Sequence, residues 1–399
     1  MSLRHQLVVS LLVQGAGAAS VLLATLLLGV GLGPEPQGAF SRTKAEIEFV
    51  SAFALFGLPQ ALFYFVRSGR LSGRAALRWA AGSALMALAI GAIYAVAQPL
   101  RAGGAWQAIL AAAVGACVLQ GQLRALLLAR ERTEWFNLVT ALPQMLLLVG
   151  VLVLFGLGAA DVPHWAWLFA LAYGTAAALA LWRCGGSVGE RSPAGAVGWR
   201  DLGRYGLAAW LTAVLSSAAI LLVQRWVEWT QGAAVLGLFT MALTLVQVPL
   251  TPVGYALPLL WRRWMEQPGW HASQRWAGVL FAALLAVAAL VWLAAPWWPD
   301  LGLGSAYAGL AHALAVLLVG AAAEAVCRLL GVSANARGTP WVAARAEAAR
   351  WAVLGMGWAL PLPQGLLPVC AVWAAAALAA AAVLVLHARS EAASHEGLA

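Results

Sequence analysis

Charge is the scarcest commodity in this chain. Of its 399 residues, 24 are Lys or Arg and 15 are Asp or Glu, so 10% are charged against 63% hydrophobic. A soluble globular domain carries about 25% charged residues, and a soluble enzyme or binding domain of this composition would aggregate. Lysine is almost missing, with Lys44 alone. Cysteine is sparse. Cys117, Cys184, Cys327 and Cys370 have no short-range pairing or metal spacing, which argues against a disulfide scaffold or a zinc module. No HExxH pattern occurs, and the six histidines are isolated near predicted membrane interfaces. GVGLG, from Gly29, lacks the lysine of a phosphate loop. The net charge of +9 does not point to nucleic acid, because the arginines are not gathered in one domain.

What is present is a succession of long apolar runs, each near the ~20 residues that cross a ~30 Å hydrocarbon core. Twelve spans are predicted near 7–31, 45–66, 79–98, 105–123, 137–158, 163–182, 205–226, 234–258, 277–295, 306–327, 346–362 and 366–387. The eleventh is the weakest, starting among Arg345, Glu347 and Arg350. The first is too long for the core of a cleaved signal peptide, despite Arg4 and the small residues at GAGAAS. The fold class expected is therefore an all-α polytopic membrane protein.

The basic residues alternate between the two sides of such a topology. Connections after the even-numbered spans hold Arg67, Arg70, Arg74 and Arg78, then Arg124, Arg130 and Arg132, then Arg183, Arg191, Arg200 and Arg204. Arg262, Arg263 and Arg275 follow, then Arg328, Arg337, Arg345 and Arg350. With Arg4 and Arg389 at the ends, 20 of the 24 basic residues share one face, and only Arg42, Lys44, Arg101 and Arg225 lie on the other. The positive-inside rule then makes both termini cytoplasmic. The opposite loops, such as GAADVPH, WVEWTQG and PLPQG, are too short to fold into a catalytic domain.

The two halves echo each other at an offset of about 200 residues. Gly38 and Phe40 in PEPQGAF correspond to Gly237 and Phe239 in AAVLGLF. FGLPQALFYFVRSGR aligns loosely with VGYALPLLWRRW, and RTEWFNLV from Arg132 matches RGTPWVAA from Arg337. Even-numbered halves make parallel repeats, related by an axis along the membrane normal. The expected organisation is a six-helix lobe over 1–183, a Gly/Ser/Arg-rich cytoplasmic linker over 184–204 and a second six-helix lobe over 205–399.

Ionisable groups at membrane depth are costly and tend to face a bundle interior or a wet cavity. Glu324 is the deepest carboxylate, and Arg328 lies four residues on, in position for an ion pair. Glu324 reads either as a protonation or cation-coupling site or as one member of that pair. Gln224 and Arg225 end the seventh span on the side poor in cations, and Arg124 and Gln120 end the fourth on the rich side. Gln14, Gln144 and Gln247 read either as cavity donors or as helix cross-links. In SRTKAEIEFV, Arg42 can pair with Glu46 and Lys44 with Glu48 at helical spacing. That charged head reads either as a self-neutralised helix start at the extracytoplasmic mouth of the second span or as an outer gate.

These patterns resemble the polysaccharide-biosynthesis flippases (Wzx-type) of the multidrug/oligosaccharidyl-lipid/polysaccharide (MOP) exporter superfamily, whose fold is MATE-like. The resemblance lies in LGPEPQGAFSR with FGLPQALFYFVRSGR, in AVLGLFTMALTLVQVPLTPVGYALPLL, and in LLGVSANARGTPWVAARAEAARW. It implies a non-enzymatic flippase of the bacterial inner membrane, moving an undecaprenyl-diphosphate-linked oligosaccharide to the outer leaflet by alternating access. It implies no cofactor, coupling to a proton or Na+ gradient, and partners among membrane lipids, a polysaccharide polymerase and other export proteins. It also implies a cationic cavity, since a diphosphate leaving water must be paired and arginine pairs phosphate bidentately. Arg42, Lys44, Arg225, Arg124, Gln14 and Gln224 are the substrate-binding candidates. Glu46, Glu48, Glu324 and Arg328 are the gate or coupling candidates. The first span departs from some relatives in having no ionisable residue after His5. The competing expectations are a cation-coupled drug or metabolite antiporter of the same fold and, further off, a membrane glycosyltransferase or polymerase.

Overall fold

The computed structural model describes residues 3–97, 104–158, 162–185, 197–266, 270–337, 339–360 and 363–396. Arg101, Asp161, most of the expected linker (186–196) and the start of PLPQG (361–362) lie outside the described residues. Thirteen α-helices occur among the described residues, and no strand does. They are α1 (Leu3–Leu32), α2 (Pro34–Ala54), α3 (Leu58–Arg67), α4 (Gly73–Val96), α5 (Gly104–Ala129), α6 (Thr133–Gly156) and α7 (Val162–Gly185). There follow α8 (Trp199–Gln231), α9 (Ala233–Glu266), α10 (Trp270–Ala294), α11 (Leu310–Ala336), α12 (Trp341–Ala359) and α13 (Leu366–Glu396).

Ten of these are long and apolar enough to cross a membrane, and α2 with α3, bent by 49° at their junction, are long and apolar enough when taken together. The twelfth expected span is α12, whose Arg345, Glu347 and Arg350 keep it from the same apolarity. The protein is a multi-pass, all-helical membrane protein.

Two expectations about connections change. The second span begins at Pro34, not near residue 45, so Arg42 and Lys44 sit more than two turns inside α2 and not at its mouth. Hydropathy is low there, but Ala, Glu, Lys and Gln are good helix formers and Pro34 suits a first turn. WVEWTQG is likewise no loop. It completes α8, and Gly232 alone connects α8 to α9.

Gly232 and its counterpart Gly33, between α1 and α2, both take left-handed backbone at φ 89° and 88°. Only glycine does so without a steric penalty. The same one-residue elbow thus recurs 199 residues along the chain, the spacing that also relates Gly38 to Gly237 and Leu58–Pro59 to Leu257–Pro258.

The chain forms two compact units, Met1–Ala24 with Phe40–Leu221 and Thr25–Ala39 with Leu222–Ala399. Within the first, α5 is central, packed against α3, α4 and α7, with α6 on α7. Within the second, α11 takes that place, packed against α9, α10 and α13, with α12 on α13. The central helices are the best covered, 61% and 67% of their apolar windows being buried, against 17% for α10. Peripheral helices present Leu, Val and Trp outward, as lipid-facing surfaces do.

Breaks in the helical hydrogen-bond ladder are answered by side chains. Pro143 in α6 has no N–H for the Val139 carbonyl, and Gln120 of α5 donates to that oxygen at 2.9 Å. Where α2 stops, Phe56 and Gly57 are left-handed at φ 48° and 65°. The Trp210 indole of α8 donates to the Phe53 carbonyl at 2.8 Å and stacks on Phe56 at 5.8 Å. Tyr205 stacks on Tyr64 of α3 at 4.5 Å. Between them the backbones of Gly57 and Gly206 touch, since a Cβ on Gly57 would lie 2.0 Å from the Gly206 carbonyl oxygen.

Gly57→Ala is therefore expected to lower stability by more than about 1 kcal/mol. Gly121→Ala, inside α5 with its nearest neighbour at 3.6 Å, is expected to be neutral or stabilising by up to about 1 kcal/mol. Unfolding midpoints in detergent check both, and equal midpoints would dismiss the Gly57 contact as a constraint.

Candidate functional site

In the second unit, Glu347 and Arg350 are one turn apart on α12, the face that meets α11 and α13. Arg350 is buried to 1% exposure, and its guanidinium bridges two carboxylates. Its Nη2 donates to Glu324 Oε2 of α11 at 2.9 Å, and its Nε lies 3.0 Å from Glu347 Oε2. The ring of Trp373, on α13, is 5.7 Å away.

The pairing expected between Glu324 and Arg328 is thus not the close one. Arg328 instead donates to Gln247 Oε1 of α9 at 3.0 Å, and it reaches Glu324 only through its field. Gln247 is accordingly a helix cross-link. The four groups Glu324, Glu347, Arg350 and Arg328 sum to neutrality when all are charged. At close contact each opposite pair contributes about 4 kcal/mol at an effective dielectric of 20, offset by several kcal/mol of desolvation per ion. Such a cluster can hold or release a proton, or exchange its internal cation for another charged group.

The first unit holds the other charged candidates. On α2, Lys44 Nζ lies 3.7 Å from Glu48 Oε1, both partly exposed, which is the pairing expected from their spacing. Glu46 is buried and Arg42 half-buried on the same helix. Arg124 of α5 has its guanidinium 5.9 Å from the Phe136 ring of α6. It lies within electrostatic reach of Tyr173 on α7, and Glu48 reaches both Tyr173 and Cys117.

The same unit holds an aromatic cluster in which Phe40, Trp165 and Phe169 are buried and Tyr173 is half-buried. Phe40 of α2 meets Trp165 edge-on at 5.4 Å and stacks on Phe169 at 5.7 Å, and Phe169 stacks on Tyr173 at 6.4 Å. Cations from α2 and α5 can hold an anionic group, while the buried rings pack α2 against α7.

The remaining candidates have other surroundings. Gln14 is buried on α1 and donates to Asn137 Oδ1 of α6 at 2.6 Å, beside Ser10 at 2.8 Å, so it ties two helices together. Gln224 is buried and Arg225 half-buried, both on α8 in the second unit.

Reading the sequence did not single out Glu347, Arg350 or Tyr173 as site residues. Two signals were available: the Glu–Arg pair three apart in the least apolar span, and Trp165, Phe169 and Tyr173 recurring every four residues.

No protein-family model and no curated protein matches the chain. Solved structures do match it along nearly its whole length. An outward-facing multidrug resistance MATE family transporter of the MOP superfamily aligns with TM-score 0.73 at 16% identity, covering 99% of this chain and 96% of that one. An inward-facing conformation of a multidrug resistance MATE family transporter of that superfamily gives 0.71 at 17%, covering 98% and 99%. A MATE crystal structure in the bent conformation gives 0.65 at 16%, covering 99% and 96%. The fold is therefore that of MATE transporters.

Removing the bridging cation should leave two buried carboxylates opposed. Arg350→Met is expected to destabilise by about 3–5 kcal/mol. The triple change Arg350→Met, Glu324→Gln and Glu347→Gln is expected to recover most of that loss. Thermal unfolding in detergent reads the order, and a single variant as stable as the parent would remove the cluster's bracing role.

Proposed function

We propose that this protein is a transporter that moves a lipid-linked oligosaccharide, with undecaprenyl diphosphate as its lipid carrier, from the cytoplasmic to the outer leaflet of a bacterial inner membrane. In this reading, halves 1–183 and 205–399 alternate access around a cationic path, with both termini cytoplasmic. The observation that carries it is the position of Arg42 and Lys44, well inside α2, with Arg124 on α5 in the same unit. A diphosphate brought out of water needs fixed cations, and the lipid tail can stay in the bilayer. Glu48, paired with Lys44 in this structure, fills the role of counter-ion when cargo is absent.

A second reading has its own support. A cation-coupled antiporter of drugs or metabolites would use intramembrane carboxylates, and the Glu324–Arg350–Glu347 cluster supplies two. The similar solved structures include multidrug resistance transporters.

Proteoliposomes holding a fluorescent undecaprenyl-diphosphate oligosaccharide separate the two. Protein-dependent appearance of the sugar in the opposite leaflet is expected. Arg42→Ala, Lys44→Ala, Arg124→Ala and Arg225→Ala are each expected to lower the initial rate about tenfold, the scale of one lost charge-assisted bond. Wild-type rates in all four would overturn the cationic path. Gradient-driven efflux of a cationic dye, abolished by Glu324→Gln, with no sugar translocation would establish the antiporter instead.

A further inference from the structure

The elbows that repeat 199 residues apart do more than resemble each other. Gly33 turns the chain from α1 into α2, and Gly232 turns it from α8 into α9, with matching left-handed backbone. The first turns of α2 and α9 then meet backbone to backbone through the repeat-related glycines. A Cβ on Gly237 would lie 1.8 Å from the Pro34 carbonyl oxygen. One on Gly38 would lie 3.0 Å from the Ala233 carbonyl oxygen and 3.1 Å from the Gly237 nitrogen. No side chain fits between them. Leu236 and Phe239 are fully buried beside the contact. Behind it, Tyr307 and Met241 close over Gly29 near the end of α1, where a Cβ would meet the Met241 methyl at 2.2 Å and the Tyr307 hydroxyl at 2.7 Å.

This contact lies where α2 changes allegiance. Residues up to Ala39 belong to the second unit, and from Phe40 onward α2 belongs to the first. A junction made of glycine backbones holds by close approach and can part without withdrawing interlocked side chains.

We propose that Gly38 and Gly237 are the two halves of a latch, closed in this structure, that must open for cargo to leave on the extracytoplasmic side. The proposal rests on the transporter reading and its orientation. Parting the latch moves the first turn of α2 off α9, so that residues 25–39 follow the remainder of α2.

The test uses full-length protein carrying C117S, C184S, C327S and C370S. In that chain Leu236→Cys places a lone thiol under the latch, and a membrane-impermeant maleimide is added from outside. Gly237→Ala is expected to speed its labelling about tenfold by wedging the elbows apart. Gly15→Ala, with open space around it, is expected to leave labelling unchanged. Unchanged labelling in Gly237→Ala would overturn the latch, as would translocation of the fluorescent undecaprenyl-diphosphate oligosaccharide by Gly237→Ala at the parent rate, since a latch wedged open does not close to complete the cycle. Faster labelling in Gly237→Ala together with no sugar translocation by the parent protein would support the latch and sink the flippase reading.

Discussion

Hydrocarbon offers no hydrogen bonds, so every interruption of a helix and every ionised group inside this protein must be answered by another part of the chain. The structure meets that constraint with specific partners. Gln120 reaches the carbonyl that Pro143 strands, and the Trp210 indole reaches the one left where α2 stops. Arg350 answers two glutamates at once, and Gln247 answers Arg328. Apart from Glu347, which shares α12 with Arg350, each partner comes from a different helix, so these bonds also set which helices are neighbours.

This explains how a chain so rich in alanine and leucine specifies one packing. Apolar contacts between membrane helices are poorly selective, because lipid tails offer much the same surroundings. The central helices α5 and α11 carry many small residues that allow close approach, and polar side chains on or against them choose the register. The charged candidates follow the same logic. Lys44 with Glu48, and Arg350 with its two glutamates, are neutralised within a unit before any cargo is considered. A transport site built from such groups must exchange partners, because none of those pairs can simply be exposed and left charged in a dry interior.

Much of the fold was legible in the sequence, because span length and apolarity are set by the bilayer. The arginine-flanked apolar runs correspond to helices in the structure, and the weak eleventh span to α12. Helix starts were less legible. Hydropathy discards Pro34–Lys44 because it is charged, whereas the backbone there is helical. The candidate site was legible as a set of residues but not as a set of pairs. A helical wheel offers Glu324 only partners on its own helix, and so it proposed Arg328. The partner found, Arg350, lies 26 residues away on another helix, a relation that no local spacing encodes. Tyr173 and Glu347 were passed over for a similar reason, since their neighbours are fixed by packing.

The Leu-Pro dipeptide at residues 58–59 recurs at 257–258, yet α2 breaks just before the first copy while α9 runs straight through the second. Proline alone does not decide the matter. What differs is the residue before the dipeptide, glycine in one copy and alanine in the other, and the first copy's Trp210 and Gly206, which stabilise the broken form. The two copies of the dipeptide thus differ in stiffness, one set at a joint and one within a rod, so the helices that carry them need not bend alike.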